Sequence, residues 1–167
     1  TGSDAFILKL TGTGVFDWVK TISGSGSERG NSITVDPAGS TYTCGNFTGT
    51  ATDFDPGTGS TTLTSTVQNG YVLKLNPAGN FTWVKKIEST NSLSAKSIKA
   101  DDLGNVYIGG EYNASYSLPW AGSGPHAGAS SISDVFLFKM DTAGALGWNG
   151  TLTGTVAADY NYIATIA

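Results

Sequence analysis

One cysteine, one histidine and one methionine in 167 residues leave little of the usual chemistry to place. A lone Cys44 excludes an intrachain disulfide framework and a cysteine metal cluster. A small buried thiol is expected there in preference to a reactive one. His126 stands in AGSGPHAGASS, read as an exposed loop, and a serine nucleophile has no other imidazole to act as its base. Charged residues make up 13% of the chain, against roughly 25% in an average soluble domain. The net charge is −4 with no basic stripe, which excludes duplex DNA or RNA binding through phosphate neutralisation. Apolar runs fall far below the roughly 20 residues of a membrane helix, so membrane insertion through a helix is not expected. No helical period appears, and Gly24-Ser25-Gly26-Ser27 is followed by a strand pattern and lacks the partner residues of a phosphate loop.

What is present is repetition. Residues 4–18 (DAFILKLTGTGVFDW) return as 69–83 (NGYVLKLNPAGNFTW) and as 134–148 (DVFLFKMDTAGALGW). Lys9, Lys74 and Lys139 lie 65 residues apart, and so do Trp18, Trp83 and Trp148. Tyr42 matches Tyr107, Gly45 matches Gly110, and Cys44 matches Gly109. A spacing kept through intervening loops marks tandem copies of one structural unit. The expected division is 4–30 as the second half of a unit, 31–95 and 96–160 as complete units, and 161–167 as the first strand of another. Such a chain, opening mid-repeat and closing on part of a unit, reads as a processed chain or a segment of something longer.

Each unit reads as four short strands. In 32–36 (SITVD), Ile33 and Val35 point one way and Ser32, Thr34 and Asp36 the other, the period of two of a strand. Pro37-Ala38-Gly39-Ser40 then supplies a fixed φ and a residue free to take a left-handed conformation, as a tight hairpin requires. Residues 41–47 form the second strand. A longer connection over 48–68 leads to a third strand at 71–75, a second hairpin on Asn76-Pro77-Ala78-Gly79, and a fourth strand at 81–87. The next unit repeats the plan, with 113–133 as its longer connection. Strands bounded by turn signals at this spacing indicate an all-β fold. The third and fourth strands are apolar on both faces, so each sheet needs neighbours on both sides, which radial stacking supplies. The expected architecture is a β-propeller: four-stranded antiparallel blades repeating every 65 residues, about two and a half of them, in an incomplete ring.

DAFILKL, SITVDPAGSTYTCGNF and DFDPG resemble the bacterial β-propeller repeat of the SBBP type over essentially the whole chain. The chain departs from that pattern at Asn69-Gly70 and at residues 98–101. The resemblance implies a secreted or cell-surface propeller module without a catalytic residue set. A surface rich in hydroxyls and amides fits that class.

Candidate residues divide into chemical and structural. Asp53 and Asp55 of the DFDPG turn could offer oxygens to a calcium ion, or could cap backbone amides while Pro-Gly reverses the chain. No other cofactor is expected. Lys9, Lys74 and Lys139 are either a row that reads a ligand or stems lying along the sheet, and packing between units is favoured. Trp18, Trp83 and Trp148 are either a sugar platform or packing residues, with packing again favoured. Tyr116 and Trp120 lie in the connection that differs most between units and are the candidate binding surface. The leading expectation is a non-enzymatic extracellular scaffold or adhesion module that contacts a surface glycan or protein. The alternative is a subunit of a filament or surface layer, since open blade edges must pair with further blades of the same chain or with other copies. A propeller lyase or glycosidase ranks below both.

Overall fold

The computed structural model describes residues 2–128 and 133–153, and the expected strand at 161–167 lies outside them. The described chain is all-β, with one short 3-10 turn at Pro119–Ala121. Its smallest building block is a five-residue hairpin turn used five times. At Thr11, Asp36, Asn76, Asp101 and Asp141 the first residue's amide donates to the carbonyl four residues on. The glycine at the fourth position (Gly14, Gly39, Gly79, Gly104, Gly144) donates back to the first residue's carbonyl. These glycines have φ between 78° and 85°, where a Cβ is disfavoured. The side chain of the first residue accepts from amides inside the turn, as in Ala78 and Asn80 to Asn76 Oδ1 and Ala143 and Ala145 to Asp141 Oδ1. The local sequence therefore closes its own hairpins before any long-range contact forms.

These turns join strands into three antiparallel groups. The first is a hairpin of β1 (Ala5–Leu10) and β2 (Phe16–Ile22). In the second, β3 (Glu28–Val35), β4 (Thr41–Asp53), β5 (Thr62–Leu75) and β6 (Phe81–Ser89) pair in sequence order. The third pairs β7 (Ser92–Ala100), β8 (Val106–Asn113), β11 (Asp134–Met140) and β12 (Leu146–Leu152). A small hairpin, β9 (Ser115–Leu118) with β10 (Ser123–Ala127), is inserted in it. Hydrogen bonding links the second and third groups into one network through a single parallel bridge, Gln68 to Ser92, and through β9 against the end of β6. Corresponding strands keep one register. Lys9 faces Trp18, Lys74 faces Trp83 and Lys139 faces Trp148, each followed by a bulge at the next residue.

The cores lie between the groups. Ile7 and Ile22 of the first pack with Tyr71, Leu73 and Leu75 of the second. Val72 and Ile87 of the second pack with Phe136, Phe138 and Met140 of the third. Alternation along β5 thus buries one face forwards and the other backwards, so the strand's continuous apolar character has a physical use. Gly45 and Gly110 allow a different closeness, between neighbouring strands of one group. A Cβ at Gly45 would stand 1.8 Å from the Arg29 carbonyl oxygen, and one at Gly110 2.2 Å from that of Ser94.

The two long connections are not free loops. In the second group β4 and β5 continue as a ladder out to Asp53 and Thr62, and Asp53 bridges back to Ser23 after β2. In the third, Ser117 and Tyr116 of β9 bridge to Glu88 and Ser89. In both places the extension of the second strand reaches the end of the preceding group's outer strand. His126, expected in an exposed loop, lies half-buried in β10 because its ring stacks on Tyr116. No helix among the described residues is long and apolar enough to cross a membrane.

Candidate interaction site at the faces of the repeated units

The repeated lysines and tryptophans form the contact between consecutive groups. Lys9 Nζ donates to the Pro77 carbonyl at 2.8 Å, and Lys74 Nζ donates to the Thr142 carbonyl at 2.8 Å. In each case the acceptor is the second residue of the turn that closes the next group's outer hairpin. The tryptophan paired with that lysine covers the glycine of the same turn. A Cβ on Gly79 would meet the Trp18 ring at 2.9 Å, and one on Gly144 would meet Trp83 at 3.1 Å. Trp18 Nε1 also points to the Pro77 carbonyl at 3.4 Å. Lys74 is buried and passes over the Tyr42 ring at 4.9 Å. Its charge is thus compensated by a carbonyl and an aromatic face. Lys and Trp together make a clasp for a turn backbone, an acceptor that neither sequence reading of the lysines had named.

Lys139 and Trp148 present the same pair with nothing gripped among the described residues. Lys139 Nζ lies over the Tyr107 ring at 5.4 Å and has no carbonyl acceptor among the described residues. Trp148 is exposed beside a groove of about 250 Å³ lined by Val135, Leu137 and Leu152.

The other candidates sit elsewhere. Asp53 Oδ1 accepts from the amides of Asp55 and Thr61, and Asp55 Oδ1 accepts from that of Gly57. Partial burial works to raise the Asp53 pKa, but the Thr61 and Asp55 amides outweigh it and hold the carboxyl below its ordinary value. Both carboxylates are engaged as turn caps, and no group of three or more metal-ligating side chains occurs among the described residues. Tyr116 is buried, against Tyr112 at 4.8 Å and Phe136 at 5.4 Å between ring centres. It presents no surface for a ligand, because β9 folds back onto β6. Trp120 is half-buried, its indole donating to the Lys86 carbonyl at 3.0 Å with Lys85 Nζ over its ring. Both lie in or against the third group's core, and a sequence pattern could not show that the inserted hairpin turns inward.

Two polar arrangements had no signal of their own in the sequence. Glu28 is buried, with Oε1 accepting from Thr52 and Oε2 without a partner, and burial raises its pKa. The Tyr71 hydroxyl is likewise buried without a partner, its pKa raised first by burial, with the Glu28 charge adding to the shift. Comparison of repeat positions could have flagged them, since Leu93 and Phe136 occupy the equivalent places. The second is Ser123, whose Oγ lies 3.0 Å from His126 Nε2 and also receives the Asn149 side-chain amide. Cys44 is buried, and desolvation pushes its thiol up to about 12, so it does not ionise near neutral pH.

Compared with known proteins, the chain matches no family model, and no curated protein matches it.

Proposed function

We propose that this chain is a non-enzymatic, extracellular β-propeller module of the SBBP-like type, its three strand groups being successive blades, and that it works as a scaffold or adhesion surface. The observation that carries the reading is the doubled clasp: Lys9 on Pro77 and Lys74 on Thr142 span the same 68 residues. One blade-to-blade contact is thereby made twice in one chain, which is how a radial repeat propagates. The low content of charge and the surface of hydroxyls and amides support an extracellular setting. Contacts with a surface glycan or protein would come from the hairpin rims, and a calcium ion would sit at Asp53 and Asp55 of that rim. Further blades, from the same chain or another copy, would take up the open faces.

The test has two parts. Antibody against the module should label intact producing cells. Incubation with a panel of polysaccharides and esters should release no product while the protein is retained on one of the matrices. Turnover that disappears in Ser123→Ala or His126→Ala would overturn the non-enzymatic reading, because those residues form the Ser–His contact seen among the described residues.

A further inference from the structure

The face formed by β11 and β12 has its complement on the same molecule. At the first contact between groups, Ile7, Trp18 and Ile22 are covered by Tyr71, Leu73 and Leu75. At the second, Val72, Trp83 and Ile87 are covered by Phe136, Phe138 and Met140. One repeat further on, the covered triplet becomes Leu137, Trp148 and Leu152. Leu152 is 68% exposed, whereas its equivalents Ile22 and Ile87 are 1% and 0% exposed.

The covering side has an unused copy too. The residues equivalent to Tyr71, Leu73 and Leu75 are Phe6, Leu8 and Leu10, which are 70%, 48% and 48% exposed. The turn beyond them has the clasped geometry: Gly14 has φ 82°, and the Thr11 amide donates to the Val15 carbonyl. Yet a Cβ on Gly14 would meet nothing within 4 Å, where Gly79 and Gly144 meet tryptophan. Among the described residues, one clasp is empty and one turn of the kind it grips is bare.

We propose that the open β11–β12 face receives the β1–β2 hairpin of a second copy of this chain, joining copies head to tail. Lys139 Nζ would take the Gly12 carbonyl, as Lys74 takes that of Thr142. Trp148 would cover Gly14, and Phe6, Leu8 and Leu10 would bury Leu137 and Leu152. The two surfaces differ, so the contact is heterologous and grows into a ring or a filament according to the rotation between copies. This inference rests on the blade-to-blade reading above and names the partner of its open face.

The test is sedimentation velocity over a dilution series of the chain. The wild type should gain mass with concentration. Leu8→Arg blocks one surface and Trp148→Arg the other, and each alone should weaken association roughly ten-fold or more, as loss of an interface anchor does. Mixed together, the two variants each keep one intact surface and should form a 1:1 complex that grows no further. A wild type that stays monomeric throughout overturns the proposal, as does association that neither variant weakens or a mixture that forms no complex. Should either variant unfold by circular dichroism, Leu10→Lys and Leu152→Lys replace them at positions at least as exposed. The internal contact is read separately through the melting of Trp83→Ala: if that variant melts like wild type, the blade reading fails as well. If it is destabilised and the wild type is still monomeric, only the docking fails.

Discussion

Where β3 carries Glu28, β7 carries Leu93, and where β5 carries Tyr71, β11 carries Phe136. A carboxyl and a phenol in the second group thus replace two hydrocarbons in the third, within the same strand plan. A second exchange lies beside it. Asn31 donates to Asn46 Oδ1 and to the Ala95 carbonyl, while the equivalent Lys96 and Glu111 form a half-exposed ion pair at 3.6 Å. A further difference is one of position. Ile98, covered by the group before it, is 4% exposed, whereas its equivalent Ile33 is 53% exposed because β1 and β2 bring no inner strands to cover it. The repeated scaffold tolerates polar exchanges wherever the strand ladder and the clasps are kept.

The sharpest way to break this comparison is to remove the tryptophan from a filled and an empty clasp. Trp83→Ala should cost about 3–5 kcal/mol, since the ring packs edge-on to Tyr42 and roofs the Gly144 turn. Trp148→Ala should cost well under that, roughly 0.5 kcal/mol, in a dilute monomer. Urea denaturation measures both, and equal losses would contradict the account. The lysines come next. Lys74→Met keeps the stem and loses the charged hydrogen bond to Thr142, for about 1.5–3 kcal/mol, while Lys139→Met should leave the denaturation midpoint within error.

A smaller effect, of opposite sign, comes from giving the second group the third group's residues. Glu28→Leu with Tyr71→Phe removes two buried oxygens that lack partners, and Thr52→Val beside them removes the hydroxyl that would lose Glu28 Oε1 as its acceptor; together the three changes should stabilise the chain by about 1–2 kcal/mol at neutral pH. The pH dependence identifies the cause. The Glu28 pKa is raised above its ordinary 4.5 in the fold. Below 4.5 both folded and unfolded forms are therefore protonated, and native stability is undiminished. As pH rises from there through the folded value, the unfolded chain releases its proton first, and stability is lost. The advantage of the variant should accordingly widen as pH rises and shrink in acid to the part that the neutral Tyr71 hydroxyl contributes. A constant advantage would point to packing instead.

The smallest expected effect concerns Asp101. The Asn105 side-chain amide first of all, with the Asn105 and Leu103 backbone amides and the Tyr107 hydroxyl, holds its carboxyl below the ordinary value against the opposing effect of desolvation. Its contribution is present above the unfolded pKa and fades as pH falls through the folded one. Asp101→Ala should lower the melting temperature slightly near neutral pH and not at all in strong acid. Thermal scans at both pH values check it.

Much of this was legible in the chain. Period-two alternation with Gly-closed turns marks the strands, because pleat and turn geometry are local properties. The 65-residue spacing of Lys9, Lys74 and Lys139 marks equivalent positions, and the amines of Lys9 and Lys74 donate to turn carbonyls of the next group. The sequence could not show which carbonyl each amine takes, since the partner lies 68 residues away and is a backbone atom with no residue identity. Tyr116 and Trp120 show a related limit: an aromatic in a variable connection reads alike whether the hairpin turns outward or folds back on β6.

The amino-acid order by itself determined the strands, their turns and the 65-residue period, because each depends on neighbours within a few positions. The tertiary structure alone decided which face of each strand is covered, which clasp is filled and which stays open. Those outcomes depend on what stands about 5–10 Å away across the next sheet, and repetition makes equivalent residues look the same until one of them has no neighbour.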